Sequence, residues 1–146
     1  MSDGATKTLK ARCACGCVEY EAVGAPITSV ICYCASCQKA GRDFEQFPKA
    51  PPVLDPDGGT AFVLYRRDRV RQCQGQGHLE EYRLNADSPT RRVVATCCNS
   101  AMFLDFTKGH WLSIYRDRVP LGGAEDRDAS YDARPARYGS ARGRRA

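Results

Sequence analysis

Nine cysteines in a chain of 146 residues limit the fold more than any other feature. Thiols grouped at short spacing have to be paired, metallated or buried. Three groups stand out: "RCACGC" (Cys13, Cys15, Cys17), "CYCASC" (Cys32, Cys34, Cys37) and "TCCN" (Cys97, Cys98), with Cys73 standing alone. The count is odd, and the N-terminal "MSDGATKTLKAR" lacks the apolar segment of a secretory leader, so a disulfide framework is disfavoured. The expected setting is the cytoplasm, where thiols stay reduced. Metal binding is the reading that accounts for the clustering.

Zn²⁺ held by thiolates wants sulfurs about 2.3 Å away in a tetrahedron, which puts the sulfurs about 3.8 Å from one another. A C-x-x-C turn meets this spacing, and a C-x-C strand meets it with a slight bend, since residues i and i+2 share a face. "CYCASC" overlaps both spacings on Cys34, so Cys32, Cys34 and Cys37 can converge on one ion. A fourth ligand from so short a loop is crowded. The site either keeps an open position, as catalytic zinc does, or is closed by a distant residue as structural zinc is. Cys13 and Cys15 supply two ligands and need partners elsewhere. "TCCN", about eighty residues further on, is the obvious supplier, and joining the two would act as a long-range crosslink. Cys17 and Cys73 are expected to be small buried residues. His78 and His110 lie outside metal-type spacings, and surface or packing roles are expected for them.

The rest of the chain reads as mainly β with little helix. "KTLKARC" and "CVEYEAV" alternate, with Val18, Tyr20 and Ala22 on one face and Glu19 and Glu21 on the other; Gly16 allows a turn between them. "ITSVICYC", "TAFVLYR", "HLEEYRLN", "RRVVATCC", "MFLDF" and "WLSIY" are further strands. "CQKAGRDFEQFPKAPPVLDPDGG" reads as irregular loop with one short helical turn after Cys37. The longest apolar runs, such as "FVLY", are far too short to cross a bilayer. One domain is expected over residues 1–120, followed by a polar, flexible, disordered tail over 121–146. That tail ends in "ARPARYGSARGRRA", with five arginines and no acid. Together with "YRRDRVRQ" (65–72) it accounts for much of the formal charge of +5, and basic segments of this kind can contact nucleic acid.

"RCACGCVEYE" followed by "VICYCASCQKAGRDF" resembles the glutathione-dependent formaldehyde-activating enzyme family, which includes centromere protein V. Cys13, Cys15, Gly16, Val18 and Tyr20 match its first block, C-x-C-G-x-V-x-[YF]. Cys32, Cys34, Cys37, Gly41 and Phe44 match its second. "ATCCNSAMF" falls where its third block, C-x-x-C-G-[ST]-P-[LI], should be. There Cys98 aligns with the second cysteine, Asn99 with the glycine and Ala95 with the first cysteine, so Cys97 is an addition and the chain looks like a divergent branch. The resemblance implies a mainly β, Mss4-like β-tent of short antiparallel strands organised around zinc. It implies one structural zinc, from Cys13, Cys15, Cys98 and either Cys97 or Cys17, and one at Cys32, Cys34 and Cys37 that serves as the active centre. It also implies carbon–sulfur lyase activity on S-hydroxymethylglutathione. Arg66, Arg67, Arg69 and Arg71 then become candidates for glutathione's carboxylates, and Tyr33, Phe44 or Phe47 for the pocket wall. Beside this lyase reading stand two others: a non-catalytic zinc module binding protein or nucleic acid, and a thiol-redox or metal-buffering protein.

Overall fold

The computed structural model describes residues 8–119 and 136–138. The first hairpin forms as the alternation requires. Strand β1 (Thr8–Arg12) pairs antiparallel with β2 (Glu19–Val23), Thr8 facing Val23 and Arg12 facing Glu19. Tyr20 and Ala22, with Val18 ahead of them, go into the core. Glu19 instead binds Lys10 and Arg12, each at 2.9 Å. The turn between the strands depends on Gly16, whose φ of +86° is strained for any side chain.

A third strand, β5 (Val70–Gln74), completes this small sheet in the order β1–β2–β5. It lies in the arginine-rich segment that reads as a charged patch. Its residues are partly or fully exposed, so no apolar face marks it as an edge strand.

The remaining strands are β3 (Thr28–Cys32), β4 (Thr60–Arg66), β6 (Leu79–Tyr82), β7 (Thr90–Ala95), β8 (Ser100–Phe106), β9 (Trp111–Tyr115) and β10 (Ala136–Tyr138). They form one sheet in the order β10–β3–β4–β9–β8–β7–β6, antiparallel except for β10 beside β3. Its central strands are buried on both faces. Along β4, Val63 and Tyr65 pack into one apolar layer with Val18, Tyr20 and Ala22, while Phe62 and Leu64 pack into a second. The small sheet covers the first layer, sealed by Tyr20 edge-on to Phe103 with ring centroids 5.2 Å apart.

The second layer is covered by a helix, which corrects the expectation of irregular loop with one short turn after Cys37. Helix α1 spans Ala35–Glu45. Cys37, Ala40, Gly41 and Phe44 line its buried face, at the spacing of an amphipathic helix. Nothing in "ASCQKAGRDFE" breaks a helix, and the first proline comes only at Pro48, beyond the Gln46 cap. The cysteines masked this period, because a metal-type spacing and a helical face share the same residues. Gly41 lets the helix sit close: a Cβ there would come within 2.6 Å of Leu54.

The domain boundary near residue 120 and the flexible tail concern segments that lie largely outside the described residues. Within 121–146 only the backbone of β10 is described. Among the described residues, no helix is long and apolar enough to cross a membrane.

Candidate metal centres

The adjacent pair Cys97–Cys98 sits in the turn between β7 and β8 (residues 96–99). On a strand the two side chains would point to opposite faces; the turn removes that conflict. Asn99 closes it at φ +59°, a left-handed conformation that asparagine tolerates better than most residues. This is the physical reason an asparagine can stand where the resembled family carries glycine. Its N–H donates to Ala95 O at 2.7 Å, and its side-chain amide donates to Pro48 O at 2.8 Å.

The turn delivers both sulfurs to the first hairpin. Cys13 Sγ lies 3.7 Å from Cys15 Sγ and 3.6 Å from Cys97 Sγ, and Cys97 Sγ lies 4.0 Å from Cys98 Sγ. All four sulfurs are within 4.8 Å of one another. These separations bracket the tetrahedral edge of about 3.8 Å for zinc thiolate, so the donor set fits the metal in number, softness and spacing. The shell is also organised from outside. Val18 N–H donates to Cys13 Sγ at 3.3 Å, and the fully buried Ser100 Oγ takes the Ala14 N–H at 2.9 Å while lying 3.0 Å from Cys98 Sγ. Burial opposes ionisation of Cys98, yet hydrogen bonds from Ser100, the Cys15 N–H and neighbouring thiols bring its pKa down to about 6. Cys97 is pushed up by burial and by its hydrogen bonds to Cys15 and Cys13.

Cys17 is not in this group and, like Cys73, is exposed. That corrects the expectation of small buried residues. Cys73 is on β5, an edge strand with little burial, and Cys17 lies in the open hairpin turn. His78 and His110 are also exposed and belong to neither cluster.

The second cluster packs into the other apolar layer, across the large sheet from the first. Cys32 ends β3, Cys34 caps α1, and Cys37 stands in its first turn. Their sulfurs also lie within 4.8 Å of one another, Cys32 and Cys34 at 3.3 Å. Cys34 is held far below the ordinary thiol range by hydrogen bonds from Cys32 and Cys37, with help from Ser36 Oγ at 3.3 Å and the Cys37 N–H. The helix N-terminus favours the same anion. Cys32 and Cys37 are raised, because they keep the protons that Cys34 shares. A divalent ion would take the place of those protons. No fourth thiol, imidazole or carboxylate joins this set among the described residues.

Instead the cluster opens onto a pocket of about 210 Å³. Its apolar wall is Phe62, Leu104, Phe106 and Trp111, with the hydroxyls of Ser36, Thr90 and Ser113 among the polar groups. The expected wall of Tyr33, Phe44 or Phe47 is corrected. Phe44 is wholly buried under α1, and Tyr33 hydrogen-bonds Asp57 at 2.5 Å. The arginine cluster does not line the pocket either. Arg66 pairs with Asp68, Arg67 with Asp105 and two backbone carbonyls, and Arg71 with Glu21.

The arginine at the pocket is Arg92, which sequence reasoning missed. It is 2% exposed, and its Nη2 lies 3.6 Å from Cys37 Sγ. The only signal was position: in "TRRVVA" it shares strand parity with Val94, a pattern that looks like an ordinary polar alternation.

Among the described residues, two sheets, one α-helix and two thiol clusters that can hold metal ions, one of four sulfurs and one of three facing a pocket, define a mainly β protein with cysteine clusters suited to metal. Residues 8–46 match the model of a family described as glutathione-dependent formaldehyde-activating enzyme, so the resemblance to that family is shown over the segment holding its first two cysteine blocks. Among curated proteins nothing matches. The fold is similar to the crystal structure of a Rhodobacter sphaeroides protein from Northeast Structural Genomics, with a TM-score of 0.57 and 16% identity, covering 88% of this chain and 98% of that one. At that identity the likeness concerns the fold alone.

Proposed function

We propose that the chain is a zinc-dependent enzyme of the carbon–sulfur lyase type, acting on a small thiol adduct such as S-hydroxymethylglutathione. The observation that carries this reading is the asymmetry of the two clusters. Four sulfurs close one shell, while three sulfurs leave the other facing an apolar pocket with hydroxyl groups. Structural zinc is closed and catalytic zinc keeps a position open.

Cys13, Cys15, Cys97 and Cys98 would hold the structural ion, and Cys32, Cys34 and Cys37 the reactive one. A zinc ion bound by three thiolates is a soft acceptor that exchanges sulfur ligands and polarises a bound group as a Lewis acid. The pocket does the rest. Phe62, Leu104, Phe106 and Trp111 hold the carbon chain next to the sulfur and keep bulk water away. In the cleavage direction the C–S bond breaks, the hydroxyl proton leaves its oxygen as the carbonyl of formaldehyde forms, and a proton returns to sulfur. Ser36, Thr90 and Ser113 are the hydroxyls placed to carry that proton. Ser36 Oγ, at 3.3 Å from Cys34 Sγ, stands beside the sulfurs that would hold the ion.

The test is metal content and turnover of Cys34→Ser beside Cys98→Ser. The expected result is two ions in the wild type. Cys34→Ser should lose one ion and the formaldehyde-releasing activity but keep the fold. Cys98→Ser should lose the other ion together with stability. One ion per chain, or a wild type with two ions that turns over no hydroxymethyl thiol, overturns the proposal.

A further inference from the structure

A buried guanidinium needs a counter-charge, and Arg92 has no carboxylate. Among the described residues no ion pair includes it, its Nε has no hydrogen-bond partner, and its polar neighbours are Cys37 Sγ at 3.6 Å and Tyr115. The neighbouring arginine shows the contrast: Arg91 binds Asp105 at 2.9 Å from the opposite parity of the same strand. The groups around its guanidinium are a thiol cluster and a phenol, so any counter-charge for Arg92 has to come from the sulfurs. Three thiolates and one divalent cation sum to a single negative charge, against which the guanidinium is neutral.

We propose that Arg92 is the built-in counter-charge of the three-cysteine metal centre, a positioning residue that holds Cys37 in the shell and makes the loaded site electrically neutral. The proposal rests on the reading that a divalent ion occupies Cys32, Cys34 and Cys37. It has a consequence that space-filling does not share. Arg92 supports retention of the ion through its charge beside Cys37, so replacing it should lower the metal-dependent part of the stability. Removing the outer-shell partner of a metal ligand weakens the metal by about 10–100-fold.

The experiment compares the full-length wild type with Arg92→Met and Arg92→Lys. Zn²⁺ release to a chelator, the thiolate-to-metal absorption of the Co²⁺-loaded protein, and urea unfolding with and without metal are measured. Arg92→Met is expected to release one of the two ions at least about tenfold more readily, leave the other unchanged, shift the Co²⁺ spectrum, and lower the urea midpoint more with metal than without it. Arg92→Lys, which keeps the charge, should fall nearer the wild type in release. Should Arg92→Met not fold, Arg92→Gln takes its place, keeping an N–H for the sulfur without the charge. Wild-type release from the uncharged variant, or a loss of stability equal with and without metal, overturns the assignment and leaves Arg92 as a packing residue. If Cys34→Ser holds as much metal as the wild type, no ion occupies this cluster. That outcome overturns the functional reading and this one together, whereas unchanged release from a two-ion protein overturns this one alone.

Discussion

Metal at the four-cysteine cluster should act as a crosslink far longer than metal at the three-cysteine cluster, and the difference is measurable. Cys13 and Cys97 are 84 residues apart. Closing a loop of that length in the unfolded chain corresponds to about 4.5 kcal/mol at room temperature by the loop-entropy relation used for disulfides. The five-residue span from Cys32 to Cys37 corresponds to about 2 kcal/mol by the same relation. Cys97→Ser/Cys98→Ser removes the far half of the long crosslink while nearly preserving side-chain volume. Cys34→Ser/Cys37→Ser dismantles the short one. The assay is urea unfolding of each protein at fixed free Zn²⁺ and again with excess chelator, the difference being the metal-dependent stability. That difference should fall by about twice as much in the Cys97/Cys98 variant as in the Cys34/Cys37 variant. Its unfolding slope should also rise, because the unlinked chain exposes more surface. Equal losses, or a larger loss from the short-loop variant, would refute the claim that the hairpin and the β7–β8 turn are joined through metal.

Three further outcomes follow from the packing. Ser100→Ala leaves the Ala14 N–H without its acceptor and is expected to lower stability by about 1–3 kcal/mol, with weaker metal retention at the four-cysteine cluster; a wild-type urea midpoint would contradict the role given to Ser100. Gly75→Ala is expected to lose more than about 2 kcal/mol, because the position has φ +89° and a Cβ there meets Cys17 O at 2.6 Å; a wild-type melting temperature would show that β5 is not held against the hairpin as described. Tyr82→Phe tests a pH dependence. The Tyr82 hydroxyl at 2.6 Å is the largest influence holding the Asp43 carboxyl below its ordinary value. That contribution is present above the unfolded pKa near 4 and fades as pH falls through the lower folded value. Wild type and variant should therefore differ by about 0.5–1.5 kcal/mol at neutral pH and converge in acid, read by unfolding at pH 7 and pH 2.

Local chemistry was legible in the chain itself. Spacings of two and three residues between cysteines prescribe which sulfurs can reach one ion, because those distances are set by a few backbone torsions. Alternation placed Val18, Tyr20 and Ala22 inside, and the first hairpin, β3, β4 and β6 to β9 follow from runs of β-branched and aromatic residues. Helix α1 was obscured because Cys34 and Cys37 satisfy a metal spacing and a helical one at once. Strand β5 was obscured because an exposed edge has no apolar face to announce it.

Which distant groups meet was decided only by the tertiary structure. The β7–β8 turn sets Cys97 and Cys98 side by side at Cys13 and Cys15, answering from 84 residues away what adjacency alone left open between Cys97 and Cys17. The large sheet separates the two clusters onto its opposite faces. Strand parity turns Arg92 inward to Cys37 and Arg91 to Asp105, although the two read as one basic pair in "TRRVVA". The pocket walls come from β4, β7, β8 and β9, strands whose order in the sheet no local signal encodes. Short-range geometry is a property of the covalent chain. Charge compensation and enclosure need surfaces from several strands at once, so they exist only when those strands are packed.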